Sequence, residues 1–213
     1  MGEDIMKKYR NIKSIILPNK KINIFVISIL FLGIIAGSLF GSIINMNDQN
    51  IVIDKIKLFI DNINNNSINT IKILKNILSI NLIYIILIWI LGLSLIGIIL
   101  NIFILFLRSF IFGFTIAAFI ITYSYKGLAL SLLYLIFGQL LNIIVLLVLT
   151  IYSIMLSIKL LSLIFKNNHI EVKKTLKNYL LILVFCIIIS IIASLSESFL
   201  LPALIKLIVK LYV

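Results

Sequence analysis

Uncharged hydrophobic runs dominate the chain, and they are longer than the helices of a soluble protein require. The first covers residues 22–45, and a helix of that length, at about 1.5 Å per residue, crosses a hydrocarbon core of about 30 Å. The pattern predicts five membrane-spanning helices in an all-α, polytopic integral membrane protein, with a single membrane domain over residues 1–213. The other predicted spans are residues 81–107, 109–125, 127–157 and 179–196.

Arg108 determines how the central runs are divided, because it and Lys126 are the only charged residues in the range 76–158. With Arg108 inside the bilayer, residues 81–125 would form one helix of about 65 Å, far longer than the hydrocarbon thickness. We therefore predict a turn at Arg108 on the cytoplasmic side and the next turn, at Lys126, on the opposite side. The alternative is a re-entrant segment at residues 109–125, which would reverse the orientation of everything after it.

Basic residues set the predicted orientation of these spans. Six basic and two acidic residues precede the first span, and the cytoplasmic segments of membrane proteins are enriched in Lys and Arg. We therefore place the N-terminal tail, residues 1–21, and the lysine-rich loop, residues 158–178, in the cytoplasm. The C-terminal tail, residues 197–213, then lies outside.

Residues 46–80 form the least hydrophobic part of the chain and show helical periodicity. Apolar side chains recur on one helix face at positions 53, 56, 59, 60 and 63, and a second stripe follows the polar "NNNS" at 64–67. We expect an extracytoplasmic, amphipathic helical hairpin between spans 1 and 2. Its apolar face packs either on the bundle or on a partner, and Phe59 is the candidate partner contact.

Composition and charge support a membrane protein and exclude other classes. Hydrophobic residues make up 62% of the 213 residues and charged residues only 12%, against about 25% in soluble domains. The net charge of +12 comes from basic residues beside the apolar runs, a placement that suits contact with anionic membrane lipid. No groove-reading motif accompanies this charge, so we expect no nucleic-acid binding.

Small and polar residues inside the runs predict packing between helices. Gly33, Gly37 and Gly41 recur every four residues on one face of span 1, where small side chains let helix backbones approach closely. This face packs within the chain or, alternatively, forms a homo-oligomer. Gln139 and Asn142 share a face of span 4, and we expect them to hydrogen-bond across the bundle.

Ionisable residues are too few for the usual catalytic centres. Glu197, near the outer end of span 5, is the only acidic residue close to a span interior, and we expect it to pair with Lys126 or to reach the headgroups. The chain has one histidine, His169, and one cysteine, Cys186, and it lacks G-x-S-x-G, H-E-x-x-H and glycine-rich phosphate loops. We expect no enzymatic activity, no metal site and no cofactor.

Several stretches, taken in order, resemble one protein family. They are the glycine-lined "FLGIIAGSLFG", the external "KLFIDNI", the closing "IIASLSESFLLPAL" and, most specifically, "NLIYIILIWILGLSLIGIILNIFILFLRSFIFGFTIAAFI" with its R-x-F-x2-G-F motif. The chain resembles the stage II sporulation protein M family of endospore-forming bacteria over essentially its whole length. The resemblance implies a multi-pass protein of the cell membrane, located in the mother-cell septal and engulfing membrane during sporulation.

The resemblance further implies a non-enzymatic scaffold. Proteins of this family anchor a peptidoglycan-degrading complex with stage II sporulation proteins D and P, which drives membrane migration and engulfment of the forespore. These two partners, a lytic transglycosylase and an amidase/endopeptidase, would supply the catalysis, and residues 46–80 and the C-terminal tail would be the docking surfaces. The alternative is a permease-like subunit of a membrane transporter. Such a subunit would need a path of polar side chains through the bundle, and the predicted spans contain few polar residues.

Overall fold

The computed structural model describes residues 20–65, 69–166 and 172–212, and all the regular structure among them is helical. Most of the N-terminal tail, residues 1–19, and His169 lie outside the described residues. Two short segments, here called π1 and π2, have the wider π-helical hydrogen bonding. In chain order the elements are α1 (Lys20–Ile43), α2 (Met46–Asn64), α3 (Thr70–Leu91), α4 (Gly97–Leu133), π1 (Tyr134–Gln139), α5 (Leu140–Lys166), α6 (Val172–Leu195), π2 (Ser196–Leu200) and α7 (Leu201–Tyr212).

Four helical stretches among the described residues are long and apolar enough to cross a membrane. They are Lys20–Ile43, Thr70–Leu91, Gly97–Ser162 and Lys173–Leu207. The all-α membrane fold predicted from the hydrophobic runs is confirmed. The third stretch has 66 residues and would be about 99 Å long as a straight helix, about three times the thickness of the hydrocarbon core.

This long stretch folds back on itself at Ser124, whose backbone angles (φ 51°, ψ −125°) are not helical. The rings of Phe112 and Tyr134 lie 6.5 Å apart, whereas the two residues would be separated by about 33 Å in a straight helix. The segments on either side of Ser124 are therefore antiparallel. We call residues 125–133 the short arm, which continues through π1 into α5. The reversal lies two residues from Lys126, where the sequence predicts a turn.

The other central turn is not at Arg108, which corrects the predicted division of spans 2 and 3. α3 ends at Leu91 and α4 begins at Gly97, so the turn is residues 92–96 and Arg108 lies inside α4. Glycine suits this turn because a Cβ on Gly97 would collide with the carbonyl of Leu91. A charge within an apolar run favours a turn at Arg108. In the structure the turn lies at residues 92–96 instead, where glycine lets the backbone approach itself closely.

The predicted hairpin at residues 46–80 is one separate helix followed by the start of a spanning helix. The second apolar stripe belongs to α3, which runs without a break from Thr70 to Leu91. Asn69 caps this helix, because its side chain accepts a hydrogen bond of 3.1 Å from the backbone N–H of Lys72. The second half of the predicted hairpin is therefore continuous with span 2.

α2 packs on the bundle through the apolar stripe that the sequence predicts. Ile60 and Ile63 are buried, whereas Phe59 stays 36% exposed. The cluster that holds α2 includes residues of α4, the short arm and α7, and we call α2, the short arm and α7 together the α2 cap. The buried members of the cluster are Ile60, Ile63, Phe119, Leu130, Leu201 and Ile205.

The glycine face of α1 is buried against α4 of the same chain. A Cβ on Gly33 would lie 2.7 Å from the Cβ of Ser109. A Cβ on Gly37 would collide with the carbonyl of Phe110, and Gly41 is buried one turn further along. Small residues at these positions let the two backbones approach closely. Of the two predicted uses of this face, the structure has the one within the chain.

The R-x-F-x2-G-F motif divides between two sides of α4. The Phe40 ring of α1 lies 5.6 Å from the Phe110 ring and 6.2 Å from the Phe114 ring, so the phenylalanines of the motif face α1. Arg108 precedes Phe110 by two residues, which is about 200° around a helix, and its side chain reaches α3 and π1 instead.

Candidate functional site

Arg108 is the centre of a hydrogen-bonded network between the helices. Its Nη2 donates to Asn81 Oδ1 at 3.1 Å and to Gln139 Oε1 at 3.2 Å. The guanidinium carbon also lies 5.2 Å from the centre of the Tyr84 ring, a distance at which a cation is attracted to the face of an aromatic ring. The arginine therefore connects α4 to α3 and to π1.

Glu197 is the second charged member of this network. Gln139 Nε2 donates to Glu197 Oε1 at 2.6 Å, and Asn142 Nδ2 donates to Glu197 Oε2 at 3.4 Å. On the other side of the network, Asn81 Nδ2 donates to Ser194 Oγ at 3.2 Å. We call these six side chains the polar network: Asn81, Arg108, Gln139, Asn142, Ser194 and Glu197.

The polar network is buried and balanced in charge. Glu197 is only 8% exposed and the four uncharged members are buried, while Arg108 is half-buried. The guanidinium and the carboxylate do not need to touch in order to compensate each other, because Gln139 accepts from one and donates to the other. An isolated charge in such surroundings would be costly, so the two charged residues depend on each other.

Arg108 and Asn81 lie at the same distance along their helices from the turn at residues 92–96. Arg108 comes eleven residues after Gly97, and Asn81 comes eleven residues before Gly92. At 1.5 Å per residue both are about 16 Å from the turn at residues 92–96, or half the thickness of a typical bilayer core. Ionisable residues at this depth are rare in membrane proteins, and they mark functional sites more often than not.

The two π-helical segments bring Gln139 and Glu197 together. Gln139 is the last residue of π1, and Glu197 lies in π2. Ser196 Oγ adds a second link by donating to the carbonyl of Phe137 at 2.8 Å. Pro202 explains the wider geometry of π2, because its ring would press on the carbonyl of Ser198 in a regular α-helix. Such π-helical turns are often found at functional sites.

A second polar group satisfies the backbone around the turn at residues 92–96. Ser157 Oγ donates to the carbonyls of Gly92 (2.9 Å) and Ser94 (3.0 Å), and Tyr179 OH donates to the carbonyl of Trp89 (3.1 Å). Asn101 also donates to Ser153 and, at 3.3 Å, to the carbonyl of Ile88. Carbonyls at the end of a helix lack intrahelical partners, so this group has a structural role.

Apart from the glycines at the contact of α1 with α4, the sequence-predicted site residues lie in three places: the polar network, the turn at Ser124, and α2. Gln139 and Asn142 hydrogen-bond across the bundle, and their common acceptor is Glu197. Glu197 was expected to pair with Lys126 or to reach the headgroups, but its carboxylate is buried among these amides. Lys126 lies beside the turn at Ser124, and Phe59 lies on α2, so neither is in the network. Within the described ranges, no cluster of three His, Cys, Asp or Glu side chains could hold a metal ion.

Sequence reasoning missed the roles of Arg108, Asn81 and Ser194. With the turn placed at Arg108, the predicted depth of this arginine was at the membrane surface and that of Asn81 at the opposite end of span 2. The signal that could have found the network is the "LGLSLIG" stretch at residues 91–97, whose two glycines and serine indicate a turn within an apolar run. With the turn there, Asn81 and Arg108 come to the same depth.

Long apolar helices around a buried, charge-compensated network define an all-α polytopic membrane protein. The family model for stage II sporulation protein M, SpoIIM, matches residues 23–202, so the chain belongs to this family. The resemblance noted in the sequence is confirmed, and the matched region includes every member of the polar network. No curated protein and no solved structure shows significant similarity to the chain.

Proposed function

We propose that this chain is a non-enzymatic membrane anchor for a peptidoglycan-degrading complex that contains stage II sporulation proteins D and P. Membership of the SpoIIM family supports a sporulation-related membrane protein. On this proposal the chain resides in the mother-cell septal and engulfing membrane, and the complex drives migration of that membrane around the forespore. The partners cut the cell wall, and the chain keeps them at the membrane surface.

The observation that carries the proposal is the exposed face of α2. Ile51 and Leu58 are 58% and 57% exposed, and they lie on one side of α2 because seven residues are about two helical turns. Phe59, beside Leu58, is 36% exposed. The opposite side of α2 packs against α4, the short arm and α7 through Ile60 and Ile63. The helix therefore presents apolar side chains on the side opposite its buried face.

The charged residues of α2 support a position of this face outside the hydrocarbon core. Asp54, Lys55, Lys57 and Asp61 are all exposed on α2, and charged side chains at this density are costly in lipid. Exposed apolar residues that face water among charges are typical of protein–protein contact sites. Confining two hydrolases at such a site would raise their effective concentration at the cell wall without any catalysis by the anchor.

A binding experiment with the full chain in lipid nanodiscs tests the contact. We expect purified stage II sporulation proteins D and P to bind the wild type, and the Ile51→Asp, Leu58→Asp double variant to bind at least about tenfold more weakly, as expected for loss of a central apolar contact. The matched control is Met46→Asp, because Met46 is 81% exposed on the same helix but about 140° away from Ile51. Equal binding by all three proteins would contradict the proposal.

Deletion of the gene in the native spore-former tests the biological role. We expect the mother-cell membrane, followed with a membrane dye, to stop at the septum instead of migrating around the forespore. Normal engulfment in the deletion strain would contradict the scaffold function.

The polar network favours a second candidate, a permease-like transporter subunit. Charged groups at the middle of the bilayer are typical of substrate and ion pathways. A transporter subunit would leave engulfment intact in the deletion strain and would move a solute when reconstituted with its ATPase. The scaffold remains our first proposal because the two charges of the network compensate each other within the chain.

A further inference from the structure

We infer that Gln139 and Glu197 are positioning residues that set the placement of the α2 cap, although neither belongs to the cap. The inference concerns the structure of the cap, and its consequence for partner binding rests on the proposed function. Under that function, the polar network in the bilayer determines whether the exposed face of α2 is presented correctly.

The connectivity of the chain carries the first step. Gln139 ends π1, and π1 continues directly from the short arm, which contributes Leu130 to the cap. Glu197 lies in π2, and π2 continues directly into α7, which contributes Leu201 and Ile205. The short arm and α7 are therefore two helical segments, each joined directly to one of the π segments.

The contacts between the two π segments carry the second step. The π segments are joined by the Gln139–Glu197 hydrogen bond of 2.6 Å and by the Ser196 bond to the Phe137 carbonyl at 2.8 Å. Gly138 of π1 also lies beside Leu201 of α7, since a Cβ at that glycine would be in van der Waals contact with Leu201 Cδ2 at 3.5 Å. The relative position of the short arm and α7 is thus set at the π segments, by the network pair Gln139–Glu197 and by the Ser196 bond beside it.

Electrostatics carries the third step. The carboxylate of Glu197 compensates the guanidinium of Arg108 through Gln139. Without that carboxylate, the cation at mid-membrane has no counter-charge among the residues of the network and must draw in water or move. Either response displaces Gln139, and with it π1 and the short arm. Displacement of the short arm loosens the pocket that holds Ile60 and Ile63 of α2.

Hydrogen–deuterium exchange of the full chain in nanodiscs tests this inference without any partner. We expect Glu197→Gln to raise the exchange rates of α2 and α7 amides by about tenfold, the effect of losing one hydrogen bond to a charged group. Amides of α1 and of α4 at the glycine contact should keep their wild-type rates. Adding Arg108→Gln removes the uncompensated charge, so the double variant should return most of the way to wild-type exchange.

Two further variants keep the test decisive if Glu197→Gln does not fold. Asn142→Ala keeps both charges and removes two weak bonds of 3.4 Å, one to Glu197 in π2 and one to the Gly138 carbonyl in π1, so we expect a smaller rise, about two- to threefold, again confined to the cap. Ser157→Ala is the control, because it removes hydrogen bonds at the turn of residues 92–96 and touches neither π segment. Its cap amides should exchange as in the wild type.

The outcomes separate this inference from the proposed function. Unchanged cap exchange in Glu197→Gln and Asn142→Ala, or an equal rise in all helices, would overturn the positioning role. A rise confined to the cap, rescued in the double variant, supports it whether or not the partners bind. If this rise occurs while the wild type binds neither stage II sporulation protein, the positioning role stands and the proposed function fails.

Discussion

Gln139 Nε2 donates a hydrogen bond of 2.6 Å to Glu197 Oε1, although the two residues are 58 positions apart in the chain. Both residues lie in π-helical segments, and the other end of the Gln139 amide accepts from Arg108. A neutral side chain therefore links a cation and an anion inside the hydrophobic bundle. This arrangement keeps both charges satisfied without a direct salt bridge.

Arg108→Leu should destabilise the protein strongly, because Glu197 would remain as a buried carboxylate without compensation. We expect a loss of about 3 kcal/mol, as for one partner removed from a buried ion pair. Arg108→Lys keeps the charge, but its shorter side chain does not place a donor where Nη2 reaches Asn81 and Gln139, and it lacks the planar group over the Tyr84 ring, so its loss should be about 1 kcal/mol. Thermal unfolding in detergent, followed by circular dichroism, measures both.

The control for this prediction is Lys173→Leu, which removes an exposed positive charge at the start of α6. Substitutions at such surface sites usually change stability by no more than about 0.5 kcal/mol. An Arg108→Leu variant as stable as the control would show that the network does not need its cation.

Gly37→Ala should separate α1 from α4. The added methyl group would collide with the backbone carbonyl of Phe110, which cannot rotate away as a side chain would. We expect a loss of about 1–3 kcal/mol from overpacking. Gly138→Ala is the matched control, because its nearest neighbours are side-chain atoms of Tyr134 at 3.2 Å and of Leu201 at 3.5 Å, which can adjust. Equal melting temperatures for the two variants would contradict the close packing of α1 on α4.

Most of the fold is predictable from the sequence, because the patterns that indicate it involve residues close together in the chain. Hydrophobic runs mark the spans, the spacing of Gly33, Gly37 and Gly41 marks a close helix contact, and the stripe through Ile60 and Ile63 marks the buried side of α2. Each of these signals depends on residues within a few turns of one helix, so no knowledge of the tertiary arrangement is needed to read them.

The polar network could not be predicted in the same way. Its members come from four separated parts of the chain, and their common depth depends on where the turns fall. A charge usually marks a membrane surface, so the sequence predicts a turn at Arg108, and a turn there separates Asn81 from Arg108 by the length of span 2. The π segments also left no clear signal, because Gly138 and Pro202 are each compatible with several helix distortions.

Ser124→Gly should stabilise the protein at the point where α4 reverses direction into the short arm. Ser124 has φ 51°, which is unfavourable for a residue with a Cβ, whereas glycine adopts positive φ readily. We expect a gain of about 1 kcal/mol, because a strained residue of this kind costs about 1–3 kcal/mol and glycine adds unfolded-state entropy. Ser124→Val should lose stability, since β-branched residues tolerate positive φ least. A lower melting temperature for Ser124→Gly than for Ser124→Val would contradict this backbone conformation.

Cysteine labelling in intact cells distinguishes the turn at residues 92–96 from a turn at Arg108. Ser94 is exposed at the turn, so Ser94→Cys should react with a membrane-impermeant maleimide only after the cytoplasmic side is opened. Arg108→Cys should resist the reagent from both sides because it lies about 16 Å deeper. The native Cys186 is 1% exposed and gives the unreactive background. Labelling of Ser94→Cys from outside alone would reverse the predicted orientation, and labelling of Arg108→Cys from the cytoplasm would restore the turn at position 108.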